Sequence, residues 1–260
     1  MIPALEYMTY AAVESAGVIT LNNPASLNAL HRAMIGELGR LFEALKLEKN
    51  LRAVIIRGEG KAFAAGADIR QMQTMTPEDA RAYSALGNRV FDQIEQFPLP
   101  VIAAVHGYAL GGGLELMMSC DLAFAAGTAK FGLPELTLGV IPGFGGSSRL
   151  ARRIGMARAK ELIYTGRLIP ADDALRMGLV DRVTAADDLT GQTMALVHEM
   201  KKVSLHALKT VKKLLNASRD TPATELTIIE SQEFGAAFGH PDAKEGMAAF
   251  IAKTTPVWNE

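Results

Sequence analysis

Three short, uninterrupted apolar runs limit what this chain can fold into: Ala53-Val54-Ile55-Ile56, Val101–Val105 and Leu122–Ala126. A strand with one wet face alternates apolar and polar residues, so a run without alternation implies a strand covered on both sides. Helical patterns fall between the runs, at about residues 77–95 and 113–119. Strands alternating with helices imply right-handed βαβ crossovers, and an α/β core is expected. Upstream, residues 5–21 read as a strand pair broken at Gly17 that feeds the loop Asn22-Asn23-Pro24. Residues 31–48 then carry Met34, Leu38, Leu41, Phe42 and Leu45 at three- and four-residue steps, the pattern of one buried helix face. After Gly146 the strand signal fades, and helices are expected near residues 157–164, 171–177, 189–200, 207–217, 224–238 and 243–253. The chain thus reads as a main body with a helical tail.

Composition removes several classes of function. With 27 Lys and Arg against 28 Asp and Glu, the net charge of −1 offers no global field for nucleic acid or an anionic membrane. The single cysteine, Cys120, excludes an internal disulfide framework and a multi-cysteine metal site, and fits a reducing compartment. No basic segment followed by an apolar run opens the chain, and no stretch reaches the roughly 18 apolar residues of a membrane span. A cytoplasmic protein is expected.

Three glycine-rich turns are candidates for chemistry: Phe63-Ala64-Ala65-Gly66-Ala67-Asp68, His106 to Gly113, and Ile141-Pro142-Gly143-Phe144-Gly145-Gly146. Taken singly, each is also readable as a tight turn. The second is the most informative, because it follows a buried strand and opens the apolar helix Leu114-Glu115-Leu116-Met117-Met118. The first N–H groups of a helix are unpaired and lie at its positive end, where they stabilise a developing oxyanion. A nucleotide-phosphate loop is not supported, since Gly-Lys-Ser/Thr is absent and Gly111-Gly112-Gly113 does not fit the dinucleotide fingerprint. Glu115 sits among apolar neighbours, and a buried carboxylate destabilises unless it is paired or used. A first-turn glutamate facing the helix dipole is the alternative there, and for Glu135, in Leu133-Pro134-Glu135-Leu136, an exposed turn residue. His31 and His106 lack partners at metal-ligand spacing, Ser147 and Ser148 lack a nucleophile elbow, and Lys201, Lys202, Lys209, Lys212 and Lys213 read as a solvated helix face.

Together the three loops resemble the crotonase (enoyl-CoA hydratase/isomerase) superfamily, and within it the enoyl-CoA hydratases. The resemblance runs from Asn22-Asn23-Pro24 and Leu27-Asn28-Ala29-Leu30 to Glu245-Gly246-Met247-Ala248-Ala249-Phe250, and is most specific from Cys120-Asp121 through Phe131-Gly132-Leu133-Pro134-Glu135 to Gly146. It implies a crotonase-like spiral core of ββα repeats over residues 1–197 and a C-terminal α-helical trimerisation subdomain over residues 198–260. By the same resemblance, the N–H groups of Ala67 and Gly112 form an oxyanion hole for a thioester carbonyl. Glu115 and Glu135 hold the attacking water, with Glu115 as base and Glu135 as proton donor to the α-carbon, and the Gly143 N–H contacts that water. Ala65, Ala67, Asp68 and Ile69 are implied to line the coenzyme A site, and Phe250 and Lys253 to reach the coenzyme A of a neighbouring subunit in a homotrimer or homohexamer. The implied substrate is an acyl-CoA thioester, with no metal, no cofactor beyond the coenzyme A of the substrate, and no nucleic-acid or membrane partner. Ser147-Ser148 departs from the Thr-Gln frequent in the family, and Thr254-Thr255 from a stretch that is often charged.

Three readings remain open on the sequence: a hydratase acting on trans-2-enoyl-CoA, a specialised crotonase (double-bond isomerase or hydratase of branched or aromatic acyl groups), and a non-catalytic acyl-CoA- or RNA-binding member. The last has little support, because Arg32, Arg40, Lys46 and Lys49 of the early helix lie among acidic residues.

Overall fold

In the computed structural model, which describes residues 2–259, the apolar runs form the middle of a six-stranded sheet. The strands in chain order are β1 (Met8–Val13), β2 (Ala16–Leu21), β3 (Ala53–Gly58), β4 (Val101–Val105), β5 (Tyr108–Leu110), β6 (Leu122–Ala126), β7 (Lys130–Gly132), β8 (Ile169–Pro170) and β9 (Arg182–Thr184). The large sheet runs β1-β2-β3-β4-β6-β9, antiparallel only between β1 and β2. A small sheet, β5-β7-β8, stands beside it.

Helices α1 (Arg32–Leu45), α2 (Ile69–Met72), α3 (Pro77–Glu95) and α4 (Gly112–Ser119) connect the first strands. Then come α5 (Gly146–Ile154), α6 (Met156–Thr165), α7 (Ala171–Met177), α8 (Leu189–Met200), α9 (Leu205–Ala217), α10 (Ala223–Ala237) and α11 (Pro241–Ala252). The sheet is covered on both faces. Val54, Ile56, Val101, Ala103, Val105, Ala123 and Ala125 join a core with residues of α1, α3 and α4, while Ile55, Ile102, Ala104 and Phe124 meet Leu189 and Val197 of α8. Period-two alternation is present in these strands, but both sets of side chains are buried, which is why the sequence reads as a continuous apolar run. α3 starts where its capping box dictates: Thr76 accepts from the Asp79 N–H, the Asp79 carboxylate accepts from the Thr76 N–H, and Pro77 opens the helix.

Four expectations need correction. The first hairpin turns at Glu14-Ser15, not at Gly17; Gly17 lies inside β2, where a Cβ would stand 3.2 Å from both Leu51 Cδ1 and Tyr10 Cε2, so this glycine makes room for packing. The strand signal does not end at Gly146, since β9 closes the edge of the large sheet and β8 that of the small one. Residues 146–154, given no element from the sequence, form α5. Lys212 is not on a solvated face: it is 7% exposed, and its ammonium lies 2.6 Å from Asp121 and 2.8 Å from the Leu99 carbonyl, tying α9 to the sheet.

Candidate active site

The start of α4 and the loop 63–68 are pressed together because residue 113 has no side chain. A Cβ on Gly113 would fall 2.0 Å from the Ala64 carbonyl oxygen, so any other residue would push the two apart. The loop is tied down by lone parallel bridges, Ala64 to Ala109 and Leu30 to Ala67. In the second bridge the Leu30 N–H donates to the Gly66 carbonyl and the Asp68 N–H to the Leu30 carbonyl. Ala67, between those two partners, therefore turns its own N–H away from Leu30. Gly112 is the first residue of α4, and its N–H has no helical acceptor. The two amides are close neighbours: an atom at the Cβ position of Gly112 would lie 3.4 Å from the Ala67 nitrogen.

One turn into α4 stands Glu115, 1% exposed. Its Oε1 accepts from the Phe144 N–H at 2.8 Å and the Gly146 N–H at 2.7 Å. Burial pushes its carboxyl up to about 7; the Gly146 N–H pulls it back, the neighbouring Glu135 charge pushes it further, and the Phe144 N–H and the Arg149 guanidinium oppose the rise. The loop that supplies those donors is itself held. The Phe144 ring, 3% exposed, packs edge-on against Tyr83 and Phe91 with centroids at 5.0 and 5.5 Å. Arg149, paired with Asp92 and Glu95, donates to the Phe144 carbonyl at 2.7 Å, and Ser84 and Asn88 donate to the Gly143 carbonyl.

Glu135 opens a short 3₁₀ turn, Glu135–Leu138, set by Pro134 and ended by Gly139 at φ 75°. It lies over the first turn of α4, its Oε1 3.2 Å from where a Gly111 Cβ would be. Its Oε2 is buried and, among the described residues, has no hydrogen-bond partner. Burial raises its carboxyl above the usual range. Ala67, Gly112, Glu115, Glu135 and Gly143 all line one cavity of about 810 Å³, whose lining also includes Met72, Met75, Leu138 and Ile141.

The other candidate residues divide. Ala65 and Ile69 line the same cavity; Asp68 is not part of its lining, and its carboxylate caps α2 by accepting from the Arg70 and Gln71 N–H groups at 2.9 and 3.2 Å. Phe250 and Lys253 stand at the end of α11, outside this cavity, with Phe250 84% exposed. His31 caps α1, accepting from the Met34 N–H, and the ring of His106 meets the Gly60 carbonyl. Sequence reasoning missed Ser84, Asn88 and Arg149. A polar pair four residues apart on a helix otherwise buried through Tyr83, Gly87, Val90 and Phe91 was the available signal for the first two.

The enoyl-CoA hydratase/isomerase family matches residues 12–260. A probable enoyl-CoA hydratase of Mycobacterium leprae is 45% identical over 94% of this chain and 94% of its own length. The short-chain-enoyl-CoA hydratase of Clostridium acetobutylicum is 41% identical over 91% of each. The crystal structure of an enoyl-CoA hydratase from Bacillus anthracis superposes with a TM-score of 0.93 at 35% identity, over 97% of this chain and 99% of that one. By sequence and by fold, the chain belongs to the enoyl-CoA hydratase/isomerase family of crotonase-fold proteins.

Proposed function

We propose that this protein is an enoyl-CoA hydratase that adds water reversibly and syn across the double bond of a trans-2-enoyl-CoA, giving a 3-hydroxyacyl-CoA in fatty acid β-oxidation or related acyl-CoA degradation. The observation that carries this reading is the meeting of Glu115, Glu135, Ala67 and Gly112 in one cavity, with Gly112 at the start of α4. The names of the relatives point the same way.

The thioester carbonyl oxygen accepts from the Ala67 and Gly112 amides, which draws electron density from the β-carbon and stabilises enolate character at the α-carbon. Removing one such donor typically costs about 2.7–4 kcal/mol of barrier. Water lies between the two carboxylates and against the Gly143 N–H. Glu115, ionised, takes a proton from the water as its oxygen bonds to the β-carbon, while Glu135, protonated, delivers a proton to the α-carbon. Burial lifts both carboxyls, which favours retention of a proton within the pair, and hydration draws on the form that carries this proton on Glu135. Atoms balance with water alone, and no electrons are transferred. The proposed reaction thus draws on neither a metal nor a redox cofactor.

Ala65, Ala67 and Ile69 are assigned to the coenzyme A end of the cavity, together with Asp68 through the turn it caps. Phe250 and Lys253 are assigned to the coenzyme A of an adjoining subunit. Large apolar side chains left exposed on the last helices, among them Phe234 (68%), Phe250 (84%) and Ile251 (82%), support residues 198–260 as the association subdomain of a homotrimer or a dimer of trimers. No helix among the described residues is long and apolar enough to cross a membrane, and a cytoplasmic location is proposed.

Loss of the enoyl-thioester absorbance on mixing the protein with crotonyl-CoA and longer homologues tests the reaction. Turnover is expected, and migration of a 3-enoyl double bond without hydration would instead make the protein an isomerase.

A further inference from the structure

The two donors to Glu115 are backbone amides, and each belongs to a peptide unit whose carbonyl is held in turn. The Gly146 N–H shares its peptide with the Gly145 carbonyl, which accepts from the Arg149 N–H at 3.0 Å and the Ser148 hydroxyl at 3.2 Å. The Phe144 N–H shares its peptide with the Gly143 carbonyl, which accepts from the Ser84 hydroxyl at 2.5 Å and the Asn88 amide at 2.9 Å. The first carbonyl is held largely by the helix it begins. The second is held, among the described residues, by side chains of α3, a separate element 55 to 59 residues earlier in the chain.

A peptide unit is planar, so fixing its oxygen fixes its N–H. Donors to the carbonyl also polarise the unit and strengthen the bond its N–H makes at the far side. The Gly143–Phe144 peptide is thus a rigid relay about one peptide wide, with Ser84 and Asn88 at one end and Glu115 Oε1 at the other. Asn88 is itself oriented by the Ser84 carbonyl, which accepts from the same amide at 3.0 Å.

We propose that Ser84 and Asn88 are positioning residues for the hydration reaction, acting through the Gly143–Phe144 peptide to aim and tune the Glu115 carboxylate. This rests on the reading of Glu115 as the base. Without the two donors the Gly143 carbonyl loses its anchors; the Phe144 ring and Arg149 still hold the next residue, but the Phe144 N–H is aimed less tightly at Oε1 and that bond to Glu115 weakens. Its oxygen then points less accurately at the water, and its carboxyl, which the Phe144 N–H holds down, rises.

The test is steady-state hydration of crotonyl-CoA across pH with the intact protein, comparing wild type, Ser84→Ala, Asn88→Ala, the double variant, Ser84→Thr and Glu115→Gln. Expected for the double variant is a fall in kcat of about fivefold to tenfold, with KM little changed and the acid limb of kcat/KM displaced to higher pH. Each single alanine variant is expected to show part of that displacement, which keeps the test intact should the double variant not fold, and Ser84→Thr, which retains a hydroxyl, to stay near wild type. An acid limb that stays in place in the alanine variants, or a KM-only effect, overturns the inference while leaving Glu115 as base if Glu115→Gln is inactive. Near-normal turnover by Glu115→Gln overturns the base assignment and the inference with it.

Discussion

Glu115 and Glu135 are the same residue in one cavity, yet the fold treats them differently. Glu115 stands on a helix buried along its whole length, with two amides fixed on one carboxylate oxygen. Glu135 stands on a single 3₁₀ turn whose next residues are exposed, and it offers a buried oxygen with no protein partner among the described residues. An unpaired buried polar atom is destabilising, and the contrast teaches where that cost is placed. In the proposed mechanism, the base is the carboxylate that the protein orients, and the proton donor is the one left for water and substrate to satisfy.

The largest effects come from breaking either side of that contrast. Glu115→Gln and Glu135→Gln are each expected to lower kcat by about 10²–10⁴-fold while acyl-CoA binding persists, as measured by stopped-assay turnover and calorimetry. They differ in stability, because Glu115→Gln keeps an oxygen for the two amides but exchanges a buried carboxyl for a neutral amide. Next in size is Gly113→Ala, whose methyl meets the Ala64 carbonyl. It should lose about 1–3 kcal/mol in denaturant unfolding and depress kcat by parting the Ala67 and Gly112 amides.

Smaller, and more diagnostic, is pH. If Glu115 acts ionised and Glu135 protonated, kcat/KM rises with pH through about 7 as Glu115 ionises and falls again where Glu135 gives up its proton. Linkage gives the matching stability effect. A carboxyl raised from 4.5 to about 7 keeps its proton in the folded state where the unfolded chain has released it, so its contribution to stability falls as pH climbs through that window. The melting temperature of Glu115→Gln relative to wild type should therefore increase between those limits, by the equivalent of roughly 3 kcal/mol at most. A constant difference would place the raised carboxyl elsewhere.

Much of the framework was legible because it is written in hydrophobic period. Pro77–Glu95, Ala171–Met177 and Leu189–Met200 match their expected bounds, since each has a recurring apolar face and a clear stop. The three-residue strands β5, β7 and β9 escaped, because so short a segment cannot display alternation, and their existence depends on partners distant in sequence. In the site, Glu115 was legible from its apolar neighbours and the glycines before it. Ser84 and Asn88 were not, because a polar pair on a helix looks the same whether it faces solvent or a carbonyl nearly sixty residues away. Lys212 was misread for the same reason: periodicity assigns a face and leaves open what covers it.

Crotonyl-CoA hydration by wild type, Glu115→Gln and Glu135→Gln in parallel tests the central claim most directly. The account predicts disappearance of the enoyl-thioester absorbance with wild type and near-complete loss of that activity in both variants, each still binding the thioester. Absence of hydration by wild type at every chain length, or turnover near wild type in either variant, would contradict it.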